Sequence, residues 1–236
     1  TTGLYLFLSV AADLTERKAW RYALPIMFLL FSGADAIGTA ITGFWIGLIY
    51  HIEWWAGWIE FSSNYTDIIW APQHALSAWI GAALALRLVR NPSSLVVIPL
   101  VTMTMVLWSP FSGVGLVPFF LYVLWLNVRH VSIATLVNGV LMLALVVLLA
   151  KYMRIGTEAM PLAPVWKLRC LGQGPCYTFP AYLLFVGLEV LPAALICQIA
   201  TRWRDGMVWI ATISLLAMPF VQFGAFNDLN LHGSIP

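Results

Sequence analysis

The stretch IATLVNGVLMLALVVLLAKY, Ile133 to Tyr152, decides the fold class: its only Asp, Glu, Lys or Arg is Lys151, next to its end. A helix crossing the hydrocarbon core of a bilayer needs about 20 mostly apolar residues at 1.5 Å rise each. No strict apolar–polar alternation offers a strand reading instead. Working outward, similar apolar segments lie at Gly3–Ala12, Tyr22–Tyr50, Trp70–Leu88, Ser94–Trp108, Val114–Asn127, Ala181–Thr201 and Met207–Phe226. The first is short, and the second is too long for one simple crossing. Together they predict an all-α bundle of seven to eight membrane segments, some of them tilted or re-entrant.

Composition argues the same way. Of 236 residues, 61% are hydrophobic and 9% charged, and mean hydropathy is +0.89. Soluble domains carry about 25% charged residues, needed to cover an exterior in water. Here lipid is expected to cover it. The net charge of +2 is too small to indicate a nucleic-acid partner and there is no basic run, so no such partner is expected. One helical domain over residues 1–236 is expected. Because the chain opens at Thr1-Thr2-Gly3 inside an apolar stretch and stops at Ser234-Ile235-Pro236, it reads as a segment of a longer one.

Cationic residues set the orientation. Alternate connections hold Arg17, Lys18, Arg21, then Arg87, Arg90, then Arg129, then Arg202, Arg204; the opposite side holds Lys151, Arg154, Lys167 and Arg169. The richer side is assigned to the cytoplasm. The two long connections, His51 to Trp70 and Met153 to Pro180, then face outward, and long loops are where function concentrates.

The outer connection HIEWWAGWIE, His51 to Glu60, is the densest in chemistry. At helical spacing Trp54, Trp55 and Trp58 form one stripe, with Glu53, Gly57 and Glu60 on a neighbouring face. It reads either as an aromatic belt with solvated carboxylates or as part of a site. Pro72 suits the first turn of the next helix, so Gln73 and His74 project at the outer boundary. They either satisfy loop backbone or, in the case of His74, bind an anion or move a proton. Asp35 lies 14 residues beyond Arg21, about 20 Å across on a helix and nearer the outer side. A carboxylate there must be protonated, paired or wet, and Gly33 and Gly38 allow close approach of another group. If Asp35 ends a crossing, Ala36–Tyr50 becomes a separate interfacial helix. The other intramembrane acid, Glu189, precedes Pro192, which predicts a kinked helix facing the interior. Cys170 and Cys176 could close a small disulfide loop, whereas Cys197 lies inside a span. Asn64-Tyr65-Thr66 matches a glycosylation sequon. Nucleotide-binding, zinc-protease and nucleophile-elbow motifs are absent from the sequence.

Three short patterns, FSGADAIG (Phe31–Gly38), HIEWW (His51–Trp55) and WAPQH (Trp70–His74), together with Asn227-Asp228-Leu229 and Ser234-Ile235-Pro236, resemble a group of large bacterial polytopic membrane proteins. More loosely, an acid near the outer end of an early span followed by a juxtamembrane helix is similar to the GT-C class of lipid-linked-sugar glycosyltransferases. Ala34 and Ala36 flank Asp35 where several of those families carry paired acids. The resemblance implies a multi-pass protein of a bacterial inner membrane that transfers a sugar from a polyprenyl-phosphate donor at the outer face. It makes Asp35 the general base and gives catalytic roles to Glu53 and His74. Glu53 or Glu60 would assist or bind a divalent cation. Arg154 or Arg169 would join His74 on the donor phosphate, with Trp54, Trp55, Glu60 and Gln73 also contacting substrate. No dedicated metal site is assigned. Two other classes remain open: a transporter or channel lined by Asp35 and Glu189, and a non-catalytic subunit of a larger membrane complex. Convergence of Asp35, Glu53 and His74 on one outward cavity distinguishes the enzyme.

Overall fold

The computed structural model describes residues 26, 28–29, 31–42, 55–56, 59–92, 95–154, 162–164, 179–223 and 227–236. Of these, 81% are helical, which makes the described part of the chain all-α apart from one two-stranded ribbon. Among the described residues the helices are α1 (Asp35–Thr42), α2 (Asn64–Ile69), α3 (Pro72–Arg90), α4 (Val97–Trp108), α5 (Pro110–Leu126) and α6 (Ile133–Arg154). Strand β1 (Leu162–Pro164) follows. A long interrupted helix comes next, made of α7 (Phe179–Phe185), a π segment (Val186–Val190) and α8 (Leu191–Ala200). Helix α9 (Gly206–Ala217), a 3-10 turn (Met218–Phe220), strand β2 (Val221–Phe223) and α10 (Asp228–Gly233) complete it.

The ends of these helices are written locally. Pro72 and Pro110 occupy first turns, where a missing N–H costs nothing. Ser63 caps α2 by accepting from the Thr66 N–H at 3.1 Å. Ser132 receives the Thr135 N–H at 3.2 Å, and Asp205 caps α9 through the Met207 N–H at 2.8 Å.

Helix α5 is the hub, packing on α3, α4, α9 and α10. The core between α3, α4 and α5 is built from Leu88, Ile98, Met105, Leu116 and Phe120, closed by Met207 of α9. A second core joins Trp55, Ile59 and Phe61 to Tyr182 and Phe185 of α7. Strands β1 and β2 pair antiparallel, Ala163 opposite Gln222.

Among the described residues two helices are long and apolar enough to cross a membrane: Ile133–Tyr152, with mean hydropathy 2.6, and Phe179–Ala200, with 2.1. Only 6% of the first is buried, so it is no core helix. Its Ile133, Val140 and Leu148 project outward, a patch that water tolerates poorly and lipid accepts. The seven to eight crossings expected from hydropathy are not all present as full-length apolar helices among the described residues. Helices α4, α5 and Gly206–Phe220 are shorter apolar helices. Helix α3 has 19 residues but carries Gln73 and His74 at one end and Arg87 and Arg90 at the other. The expected span Met207–Phe226 ends early, because Pro219 cannot continue the helix and β2 follows. Gly3–Ala12, nearly half of Tyr22–Tyr50, and the pair Cys170 and Cys176 lie outside the described residues.

Candidate functional site

Two polar groups and one apolar cavity lie at related positions in the bundle. The first group forms where the chain breaks before α1. Residues Phe31–Ala34 turn, and Ser32 takes the left-handed conformation at φ 54°. A side chain is strained there, and the Ser32 hydroxyl offsets this by donating to the Phe61 carbonyl at 2.8 Å. The turn delivers Asp35 as the first residue of α1, 7% exposed. Its Oδ1 accepts the Trp55 indole N–H at 3.1 Å. Glu189 Oε2 accepts the Ala34 N–H at 3.4 Å. Two carboxylates thus converge on the start of one helix, where its dipole favours negative charge. Gly38 is required nearby, since a Cβ there would run into the Trp55 indole.

Glu189 belongs to the π segment. Pro192, just beyond, cannot donate to the carbonyl one turn back, and the widened turn preceding it absorbs the mismatch. The buried Glu189 side chain is thereby directed into the bundle, as its position before Pro192 predicts.

The second group joins the starts of α3 and α5 to α10. His74 Nδ1 and Ser109 Oγ are 2.8 Å apart, as are Ser109 Oγ and Ser112 Oγ. The Ser112 hydroxyl also meets the carbonyls of His74 (3.2 Å) and His232 (3.3 Å). Carbonyls only accept, so Ser112 donates to them and must accept from Ser109. Ser109 has then spent its proton, so His74 donates from Nδ1. This leaves Nε2 as the nitrogen whose lone pair can take a proton. The His74 and His232 rings stack at 4.0 Å. Burial, then the charge on His74, lowers the His232 pKa to about 4. Burial raises that of Asp228, partly offset by its own backbone N–H and by His74.

A cavity of about 320 Å³ lies between the groups in the chain's connectivity, bounded by Phe31, which precedes Ser32, and by Gly233, which follows His232. Aromatic rings of Phe28, Trp79 and Phe119 also line it. Asn64 fixes this wall: its Nδ2 donates to the Phe28 carbonyl at 2.8 Å, and its Oδ1 accepts the Trp79 indole at 3.2 Å. Asn64 is therefore buried, and the sequon is a structural amide rather than a surface acceptor.

No family model matches the chain, and no curated protein or solved structure is significantly similar to it.

The residues singled out in the sequence divide as follows. Asp35 and Trp55 are brought together. Trp55 is buried in the second core, its ring 6.1 Å from Phe185, rather than in a lipid-facing stripe. Glu60 is buried and not solvated. His74 lies in the other group, its side chain bonded to the Ser109 hydroxyl and not to loop backbone, while its neighbour Gln73 is exposed. Asp35 and His74 belong to separate groups and neither lines the 320 Å³ cavity, so the convergence on one outward cavity expected of the enzyme is not seen among the described residues. Glu53, Trp54, Trp58 and Arg169, and the side chain of Arg154, lie outside the described residues. Among the described residues no group of three or more His, Cys, Asp or Glu could hold a metal ion. Ser109 and Ser112 are not among the residues singled out in the sequence.

Proposed function

We propose that this chain is a multi-pass membrane enzyme that transfers a sugar from a polyprenyl-phosphate donor at the non-cytosolic face. Asp35 carries the reading. It is a buried carboxylate held by the Trp55 indole at the start of a helix broken from the preceding segment. Such a group is costly to keep in an apolar interior without a task. In the proposed step the acceptor hydroxyl oxygen bonds to the anomeric carbon as its proton passes to Asp35. The bond from that carbon to the phosphate oxygen breaks, and polyprenyl monophosphate leaves with the electron pair.

His74, its Nδ1 proton given to Ser109, takes up a second proton at Nε2 and donates it to the donor phosphate, with Arg154 or Arg169 as cationic partners. Glu189 supports the start of α1. Glu53 or Glu60 would assist, or bind a divalent cation if one is used. The hydrophobic exterior of α6 and the apolar cavity both suit a lipid-borne substrate. A bacterial inner membrane, lipid contact and assembly with other membrane proteins accord with this reading.

The test uses proteoliposomes loaded with a radiolabelled polyprenyl-phosphate hexose. Asp35→Asn is expected to lower transfer at least 1,000-fold, about 4 kcal/mol of barrier, with unchanged thermal unfolding. Full transfer by a folded Asp35→Asn protein would refute the assignment.

A further inference from the structure

The cavity has features of a built ligand site rather than a packing defect. Its lining includes Ala193 and Cys197 on α8, four residues apart, and Ala211, Ser214, Leu215 and Met218 on and just beyond α9. These are single stripes of two consecutive helices, so the space runs lengthwise between them. From Ala211 to Met218 it extends about 10 Å at 1.5 Å per residue. Its 320 Å³ sits at the lower end of the range for ligand pockets, about 300–1,000 Å³. Over that length it has room for a hydrocarbon chain in van der Waals contact.

Both ends of the space differ from its middle. Cys197 lines it and is at the same time exposed, on a helix apolar enough to cross a membrane. The space therefore reaches the side of the bundle that lipid would contact. At the other end Ser234 lines it. The Ser234 hydroxyl is shielded from solvent and has no hydrogen-bond partner among the described residues. A buried hydroxyl without a partner is costly, a cost that a ligand oxygen in the cavity would remove. Ser234 follows His232 and Gly233 directly, so this end adjoins the stacked imidazoles.

We propose that the cavity binds one hydrocarbon chain of a membrane lipid, entering beside Cys197, with an oxygen at the head of that chain bonded to Ser234. The shared ligand chemistry is an apolar chain bearing a head oxygen, from either a polyprenyl phosphate or a diacyl phospholipid. The proposal deepens the glycosyltransferase reading by seating the donor's chain, and it rests on that reading for its membrane setting.

The experiment uses the full chain with Cys170→Ser and Cys176→Ser, delipidated and held in amphipol, with Cys197 as the only thiol. Alkylation by N-ethylmaleimide is followed by mass spectrometry with added polyprenyl monophosphate, diacyl phosphatidylglycerol or inorganic phosphate. A saturating lipid is expected to slow alkylation at least tenfold, and inorganic phosphate to leave it unchanged. Ser234→Ala is expected to raise the half-protecting lipid concentration about fivefold, and Ser214→Trp, which fills the space, to abolish protection. Protection by polyprenyl phosphate alone assigns an isoprenoid chain; protection by phosphatidylglycerol assigns an acyl chain. An alkylation rate indifferent to both lipids, or protection that survives in a folded Ser214→Trp protein, overturns the proposal. If Cys197 is protected but no sugar is transferred, the enzyme reading falls and the lipid site stands. Transfer without protection has the opposite meaning.

Discussion

Acidification is expected to loosen α10 through His232, and the size of the effect follows from its environment. The imidazole is lowered from 6.5 to about 4 by burial and by the charge on His74. A folded state with the lower pKa binds fewer protons, so stability is intact above 6.5 and is lost as the pH falls toward 4. From those two values the unscreened loss is about 1.4 kcal/mol at pH 5.5 and about 2.5 kcal/mol at pH 4.5. Because the ring keeps some solvent contact, about 1 and 2 kcal/mol are the expected losses. Asp228 acts in the opposite direction, since its raised pKa makes the folded state bind protons more readily as the pH falls. Comparing the wild type with His232→Asn cancels that contribution. Unfolding in detergent, followed by tryptophan fluorescence between pH 7.5 and 4.5, should show the wild type losing this increment relative to the variant. Parallel pH profiles for the two proteins would refute the reasoning.

Trp55→Phe removes the N–H given to Asp35 together with part of a buried ring, and should destabilise the protein by at least about 1–2 kcal/mol in denaturant titration; an unchanged midpoint would deny the hydrogen bond. Gly115→Ala places a Cβ against the Gly233 carbonyl. It should cost about 1–3 kcal/mol and speed proteolysis within residues 228–236, whereas an unaltered digestion pattern would place α10 elsewhere.

Much of this architecture was legible in the chain. The run from Ile133 to Tyr152 declares itself by length and apolarity alone, and it forms α6 with its side chains outward. Asp35 stood out because an acid within an apolar stretch demands a partner, and the break before α1 falls beside it. Glu189 was readable for the same reason, with Pro192 marking the irregular turn. What could not be read was which distant segments meet. Tryptophans spaced for an interfacial stripe gave no sign that Trp55 would turn inward to Asp35, because an indole serves equally as membrane anchor and as buried donor. The stacking of His74 on His232 depends on α10 folding back against α5, where Gly115 admits the Gly233 carbonyl. No periodicity encodes that contact. Ser109 and Ser112 carry the proton order of His74, yet a serine at a helix start is more often a cap. Pattern finds helices and isolated charges; it does not find the partners that close packing supplies.

The central claim is a membrane-spanning bundle whose ionisable groups work at the non-cytosolic boundary. Its most direct test is the sidedness of Gln73, beside His74, against that of Arg129, at the opposite end of the neighbouring helix. In a cysteine-free background reconstituted in sealed right-side-out vesicles, Gln73→Cys should react with a charged maleimide at once, and Arg129→Cys only after the vesicles are opened. Labelling of both from the same side, or in the reverse order, would contradict the account.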